Sequence, residues 1–157
     1  MNKTRKAVLS YILLSEGVGA LAGWLTRDGT EYFSRAVNKP AFTPPAAVFP
    51  AAWAALYALM GVGAGRVAAL DGSPERTRAL GCFYAQLAVN FLWSLIFFNL
   101  RAYGLAFGAL TLLFGLIVWM TLSFGSLDKL SGQLQIPYLL WVLFAGYLNV
   151  GVWALNK

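Results

Sequence analysis

Asn38-Lys-Pro-Ala-Phe-Thr-Pro-Pro-Ala-Ala-Val-Phe-Pro-Ala-Ala-Trp-Ala-Ala-Leu-Tyr57 is the stretch that decides how this chain folds. Pro40, Pro44, Pro45 and Pro50 stiffen a loop that runs straight into a strongly apolar helix. Proline fixes φ and removes a donor, so it belongs before a helix or in its first turn. Phe49, Trp53 and Tyr57 then recur every four residues, which stacks three aromatic rings on one helix face. A stiff loop feeding an aromatic face inside a membrane reads as a lid over an apolar pocket. Ordinary aromatic packing at a helix start is the alternative.

Composition places that helix in a bilayer. Of 157 residues, 59% are hydrophobic and only 11% are charged, whereas soluble domains carry roughly a quarter charged residues. The net charge of +6 is spread over the termini and the gaps between apolar segments. That is the pattern of membrane-flanking anchors and not the one-sided cluster that nucleic-acid binding needs. The chain has no histidine, which removes histidine-ligated zinc or haem, Ser-His-Asp hydrolysis and Cys-His proteolysis together. A single cysteine, Cys82, excludes an intrachain disulfide and any cysteine-rich metal site. No metal site and no Gly-rich phosphate loop is expected.

A bilayer core needs about 20 apolar residues per helix. The chain supplies five such segments, at roughly 7–26, 46–69, 79–100, 102–124 and 133–155. The expected fold is therefore all-α, an integral membrane bundle of five transmembrane helices, forming one domain over 1–157 with no linker. The first span follows Lys3, Arg5 and Lys6, like a signal peptide, but Glu16 in its run and the lack of a clear A-x-A cleavage site point to a retained helix. The gap at 27–45 is long enough to fold over the bundle, while the turn at Arg101 makes spans three and four antiparallel neighbours. With the N-terminus inside, seven of the twelve Lys and Arg fall on the inner side, so N-in is the expected orientation.

The polar residues within the spans mark the interior. Gln86, Asn90, Trp93 and Phe97 share one face of span three, and amides at bilayer depth must face partners in the bundle. Interhelical hydrogen bonding is one use for them, and a polar anchor in a ligand pocket is the other. Trp141, Ala145 and Asn149 form a second stripe on span five, where a small residue between an aromatic and an amide leaves room for a helix or a ligand. Tyr138 nearby reads either as part of that site or as an interfacial belt residue. Glu16 is the only acid inside a span, which makes it a proton relay, a ligand contact, or a group partnered by Ser10, Tyr11 or another helix. Arg66 is expected to snorkel to the interface. Gly19 with Gly23, Gly61 with Gly65, and Gly104 with Gly108 permit close helix approach, within the bundle or across a homodimer seam.

Four motifs, Lys39-Pro40-x-Phe42-x-Pro44-Pro45, Val48-Phe49-x-x-x-Trp53-x-x-Leu56-Tyr57-x-x-Met60-Gly61, Asn90-x-x-Trp93-x-x-Ile96-Phe97-Phe98 and Ile136-Pro137-Tyr138-Leu139-x-Trp141-x-x-x-Ala145-x-x-Leu148-Asn149, together resemble the TspO/MBR family. These are the tryptophan-rich sensory proteins related to the mitochondrial translocator protein, or peripheral benzodiazepine receptor. The resemblance covers nearly the whole chain, in order. It implies a five-helix bundle, usually a homodimer, that binds porphyrins, haem-like tetrapyrroles, sterols and benzodiazepine-type compounds. The pocket it implies includes Trp53, Asn90, Trp93, Trp141, Ala145 and Asn149, with Phe42, Phe49 and Tyr57 beside them and Pro40, Pro44 and Pro45 as lid. Some bacterial members are credited with light-dependent porphyrin breakdown, in which pocket tryptophans take part.

The chain departs from the family pattern where Phe42 and Ala47 stand in place of lid tryptophans, and where Phe33 and Ser34 replace a Trp-Tyr pair. A roomier, less electron-rich mouth follows. The sterol-recognition pattern near the C-terminus fails, because Lys157 lies too far beyond Tyr147; Arg101-x-Tyr103-x-Leu105 fits only the reversed pattern. The leading expectation is a multi-pass protein of a bacterial cell membrane that binds a small apolar ligand, with transport or sensing as its use. It needs no obligatory cofactor, and its partners are the ligand, the lipid bilayer and a second copy. A photo-oxidative, porphyrin-degrading enzyme is the alternative.

Overall fold

The computed structural model describes residues 1–157. Helices α1 (Lys3–Leu25), α2 (Arg27–Ala36), α3 (Val48–Ala68), α4 (Pro74–Ser94), α5 (Tyr103–Leu127), α6 (Lys129–Gln133) and α7 (Ile136–Leu155) follow one another, and a π-helical turn, Leu95–Asn99, prolongs α4. There is no strand. Five helical stretches, Lys3–Leu25, Val48–Ala68, Pro74–Asn99, Tyr103–Leu127 and Lys129–Leu155, are long and apolar enough to cross a membrane. The fold is an all-α membrane bundle, and the observed spans lie within a few residues of those expected. Local chemistry sets the helix starts. Asn2 Oδ1 accepts from the Arg5 amide at 2.8 Å, and Ser73 Oγ accepts from the Arg76 amide at 3.1 Å beside Pro74 in the first turn.

Glycine decides how closely the first two long helices approach. A methyl placed on Gly61 would stand 2.5 Å from Ile12 Cα, and one on Gly65 would strike the Val8 backbone. Gly61 and Gly65 therefore form the α1–α3 seam inside the bundle and are closed to a second copy. Gly104 is likewise occupied by the Trp153 ring, 3.0 Å from a methyl placed there. The core below holds Met60, Phe83, Leu113, Ile117, Met120 and Phe124, all fully buried. Cys82 packs there as a small apolar residue, its thiol 3.2 Å from the Leu116 carbonyl.

Three expectations need correction. The gap at 27–45 is not all loop, because α2 occupies its first half. Asp28 in its first turn and Arg35 in its last suit the helix dipole, and Arg35 pairs with Glu31 one turn back at 2.8 Å. Gly29 lets α2 lie against the Phe98 carbonyl, and Phe33 packs on Phe97 and Phe98 at 5.6 Å each. Hydropathy alone saw only the charges of this segment. Second, Arg66 does not snorkel free. Its guanidinium grips Asp128 through two bonds of 2.7 and 3.0 Å, and Asp128 in turn caps α6 by accepting from the amide and hydroxyl of Ser131. Third, Tyr138 is no belt residue, since it is fully buried.

Candidate functional site

Between α1, α3, α4 and α7, under the loop that follows α2, lies a cavity of about 730 Å³. Its walls come from helix faces whose spacing put aromatic and small residues in register. Helix α3 contributes Phe49, Trp53 and Tyr57, the three rings at four-residue spacing, and α7 contributes Trp141, Ala145 and Asn149. Helix α4 brings Trp93, and the π turn adds both Phe97 and Phe98. A π turn carries an extra residue per turn, and two adjacent phenylalanines reach the cavity from it. Its backbone is closed by Leu100 N–H on Leu95 O at 3.1 Å and Ala102 N–H on Ile96 O at 3.2 Å.

Trp53 is the centre of this wall. Its ring centroid stands 5.8 Å from Tyr57, 6.1 Å from Trp93, 6.2 Å from Tyr138 and 6.3 Å from Trp141. Edge-to-face and tilted pairs at these separations are favourable quadrupole contacts. Asn149 fixes the Trp93 ring. It accepts from Trp93 Nε1 at 3.1 Å and donates to the Tyr103 carbonyl at 2.8 Å, so one amide ties α4, α5 and α7 together. Trp141 leans on Phe49 at 6.0 Å, and its indole N–H is buried without a partner.

Asn90 is placed elsewhere. Its Nδ2 donates to the Tyr138 hydroxyl at 2.7 Å, and that hydroxyl donates to Gln86 Oε1 at 2.8 Å. All three residues are within 1% of complete burial, behind Trp53 rather than on the cavity surface. The polar face of α4 thus divides. Gln86 and Asn90 serve interhelical bonding with α7, whereas Trp93 and Phe97 reach the cavity. The tetrapyrrole anchor expected of Asn90 is therefore not on the cavity wall, because Tyr138 holds its amide.

The proline loop divides as well. Asn38 and Asn156 bond reciprocally, amide to Oδ1 at 3.0 Å and Nδ2 to carbonyl at 2.8 Å. The Tyr147 hydroxyl donates to the Ala41 carbonyl at 2.7 Å, and Pro40 lies on Gly151, where a methyl would collide with its ring. The first half of the loop is thus strapped to α7. Thr43 and Pro44 line the cavity, while Pro40, Pro45 and Phe42 do not. Phe42 has φ 65° and is 88% exposed, so it points away from the mouth.

Sequence reasoning missed the contribution of α1 and α2. Gly19, Ala20, Gly23, Thr30, Phe33 and Ser34 all line the cavity. Gly19 does serve packing, against the Tyr57 ring, but a methyl on Gly23 would meet nothing within 4 Å. The spacing from Glu16 through Gly19 and Gly23 to Thr26 was the available signal, since it keeps one helical face small beside a lone acid. Three charged side chains border the space: Glu16, Arg27 and Lys39.

These features define a multi-pass helical membrane protein with an aromatic-walled internal cavity. The chain belongs to the TspO/MBR family, whose model matches residues 11–154. It is 45% identical over 152 residues to protein CrtK of Rhodobacter capsulatus, covering 93% of this chain and 90% of that protein. It is 36% identical to the tryptophan-rich sensory protein of Cereibacter sphaeroides, with 96% and 92% covered. Similarity extends to the human translocator protein, at 33% identity over 91% of this chain and 86% of that one.

Proposed function

We propose that this protein binds flat apolar ligands in the cavity, with porphyrins and related tetrapyrroles as the leading class and sterols or benzodiazepine-type compounds after them. The observation that carries the reading is the wall of Trp53, Trp93 and Trp141 around a cavity of about 730 Å³, a volume suited to small-molecule ligands. Three indoles and two phenylalanines present π faces and edges to a planar guest, and dispersion with quadrupole contacts holds it. With no histidine in the chain, a metal-free porphyrin is accommodated more readily than haem. Titrating protoporphyrin IX into the detergent-solubilised protein while following tryptophan emission tests this. Saturable quenching at one ligand per chain is expected, and quenching that never saturates would refute it.

A second reading, light-dependent oxidation of the porphyrin by dissolved dioxygen, is favoured by the close succession Trp93–Trp53–Trp141, each step about 6 Å between centroids. Illuminating the porphyrin-bound protein and watching for a bilin-like absorbance separates binding from catalysis. We assign the protein to a bacterial cell membrane, in keeping with the bacterial relatives above, as a homodimer. The seam we favour is the outer face of α5, where Leu105, Leu112 and Trp119 are exposed and methyls on Gly108 and Gly115 would meet nothing.

A further inference from the structure

Glu16 stands at the inner end of the cavity with no partner. It is half-buried on α1 and lines the cavity beside Tyr57 of α3, between Ser15, whose hydroxyl donates to the Tyr57 carbonyl at 2.8 Å, and Gly19, which packs on the Tyr57 ring. No hydroxyl serves it: Ser10 donates to the Lys6 carbonyl at 2.9 Å, the Tyr11 hydroxyl pairs with that of Tyr84 at 2.8 Å, Ser15 is engaged by the Tyr57 carbonyl, and the Tyr57 phenol beside it makes no hydrogen bond to it. The ion pairs of the chain join Arg27 to Asp28, Arg35 to Glu31 and Arg66 to Asp128. None reaches Glu16.

At the outer end stands Lys39, also without a carboxylate. Its ammonium donates to the Ser34 and Val37 carbonyls at 3.2 and 3.0 Å and lies 5.1 Å from the Phe33 ring centroid. An ammonium has three donors, so one is left for a guest. From Glu16 to Thr26 at the mouth is about 15 Å of helix, at roughly 1.5 Å per residue. The cavity wall is mostly apolar, with an acceptor at the bottom and two cations towards the top, of which Arg27 has Asp28 beside it at 3.8 Å and Lys39 has no carboxylate.

We propose that Glu16 and Lys39 make the cavity selective for amphoteric apolar ligands, with outward N–H donors set against Glu16 and a carboxylate set against Lys39. An unpaired carboxylate in apolar surroundings is costly, and a charge-assisted bond from a ligand N–H offsets that cost. Among tetrapyrroles this favours the open-chain form. The N–H groups of a closed porphyrin point at the ring centre, beyond the reach of a carboxylate at its rim, whereas opening the ring turns them to an accessible edge. The inference rests on the tetrapyrrole reading above and narrows it.

Three probes separate the two ends: biliverdin, its dimethyl ester, and protoporphyrin IX. Wild-type protein should bind biliverdin more tightly than protoporphyrin IX. Glu16→Gln should weaken biliverdin about tenfold and leave protoporphyrin IX within about twofold, which also shows that the variant is folded. Lys39→Met should weaken both diacids and spare the dimethyl ester. Equal wild-type affinity for biliverdin and protoporphyrin IX, or a Glu16→Gln effect that is the same for both, would overturn the inference while leaving the binding reading standing. If no tetrapyrrole binds wild-type protein, the binding reading falls and this inference with it.

Discussion

Replacing Trp141 with alanine removes one wall of the cavity without breaking a hydrogen bond, since its indole N–H has no partner. The loss is therefore purely one of packing. A ligand that arrives from the bilayer is already out of water, so the area-based hydrophobic term largely cancels between lipid and cavity. What remains is the aromatic contact itself, roughly 0.5–1.5 kcal/mol beyond area burial. At about 1.4 kcal/mol per decade, the dissociation constant for protoporphyrin IX should rise about two- to tenfold. Trp141→Phe keeps a ring against Phe49 and Trp53 and should recover most of that. Ligand fluorescence anisotropy is the suitable assay, because it does not depend on the tryptophan that was removed. Unchanged affinity in Trp141→Ala, at an unchanged thermal midpoint, would refute the assignment of α7 to the binding wall.

Other outcomes follow from the same geometry. The Arg66 guanidinium holds the Asp128 carboxyl below its ordinary 3.8, at about 2. Because the folded pKa is the lower one, the stabilisation is fully present above about pH 4 and is lost as pH falls towards 2. With the guanidinium partly exposed and screened, it is worth about 1–2 kcal/mol. The difference in thermal midpoint between wild type and Asp128→Asn should shrink between pH 6 and pH 2.5, and a constant difference would count against the pair. Gly108→Leu should shift the detergent-solubilised protein towards monomer by light scattering, whereas Gly61→Leu should instead lower its thermal midpoint, because Ile12 fills that space. An unshifted mass in Gly108→Leu would remove α5 as the seam. Phe42→Trp should leave the rate of porphyrin release unchanged, given the exposure of Phe42, while Pro44→Gly with Pro45→Gly should speed it. Stopped-flow rates that are identical in all three proteins would make the loop a spectator.

Five spans were legible because a run of about 20 apolar residues has few other uses. Helix α2 was not, because its fold depends on partners far along the chain. Phe97, Phe98 and the Phe98 carbonyl give Phe33 and Gly29 their places, and none of that shows in a polar ten-residue segment. Trp53, Trp93, Trp141, Ala145 and Asn149 were readable from helical spacing together with the family resemblance, and they do converge on one cavity. Asn90 lies one turn from Trp93 and shares its face by spacing. Which of the two reaches the cavity was decided by Tyr138 on another helix, a contact that periodicity on one helix cannot reveal. The same holds for the glycine pairs. Spacing announces a close approach, but only the packed bundle shows that Gly61 and Gly65 meet α1 and that Gly23 faces empty space.

The central claim is that the guest sits among Trp53, Trp93 and Trp141. An experimental structure of the protein with bound protoporphyrin IX measures this directly. The account predicts ligand density within van der Waals contact of all three indoles, beneath Thr43 and Pro44. Density confined to the lipid-facing surface, with the three tryptophans untouched, would contradict it.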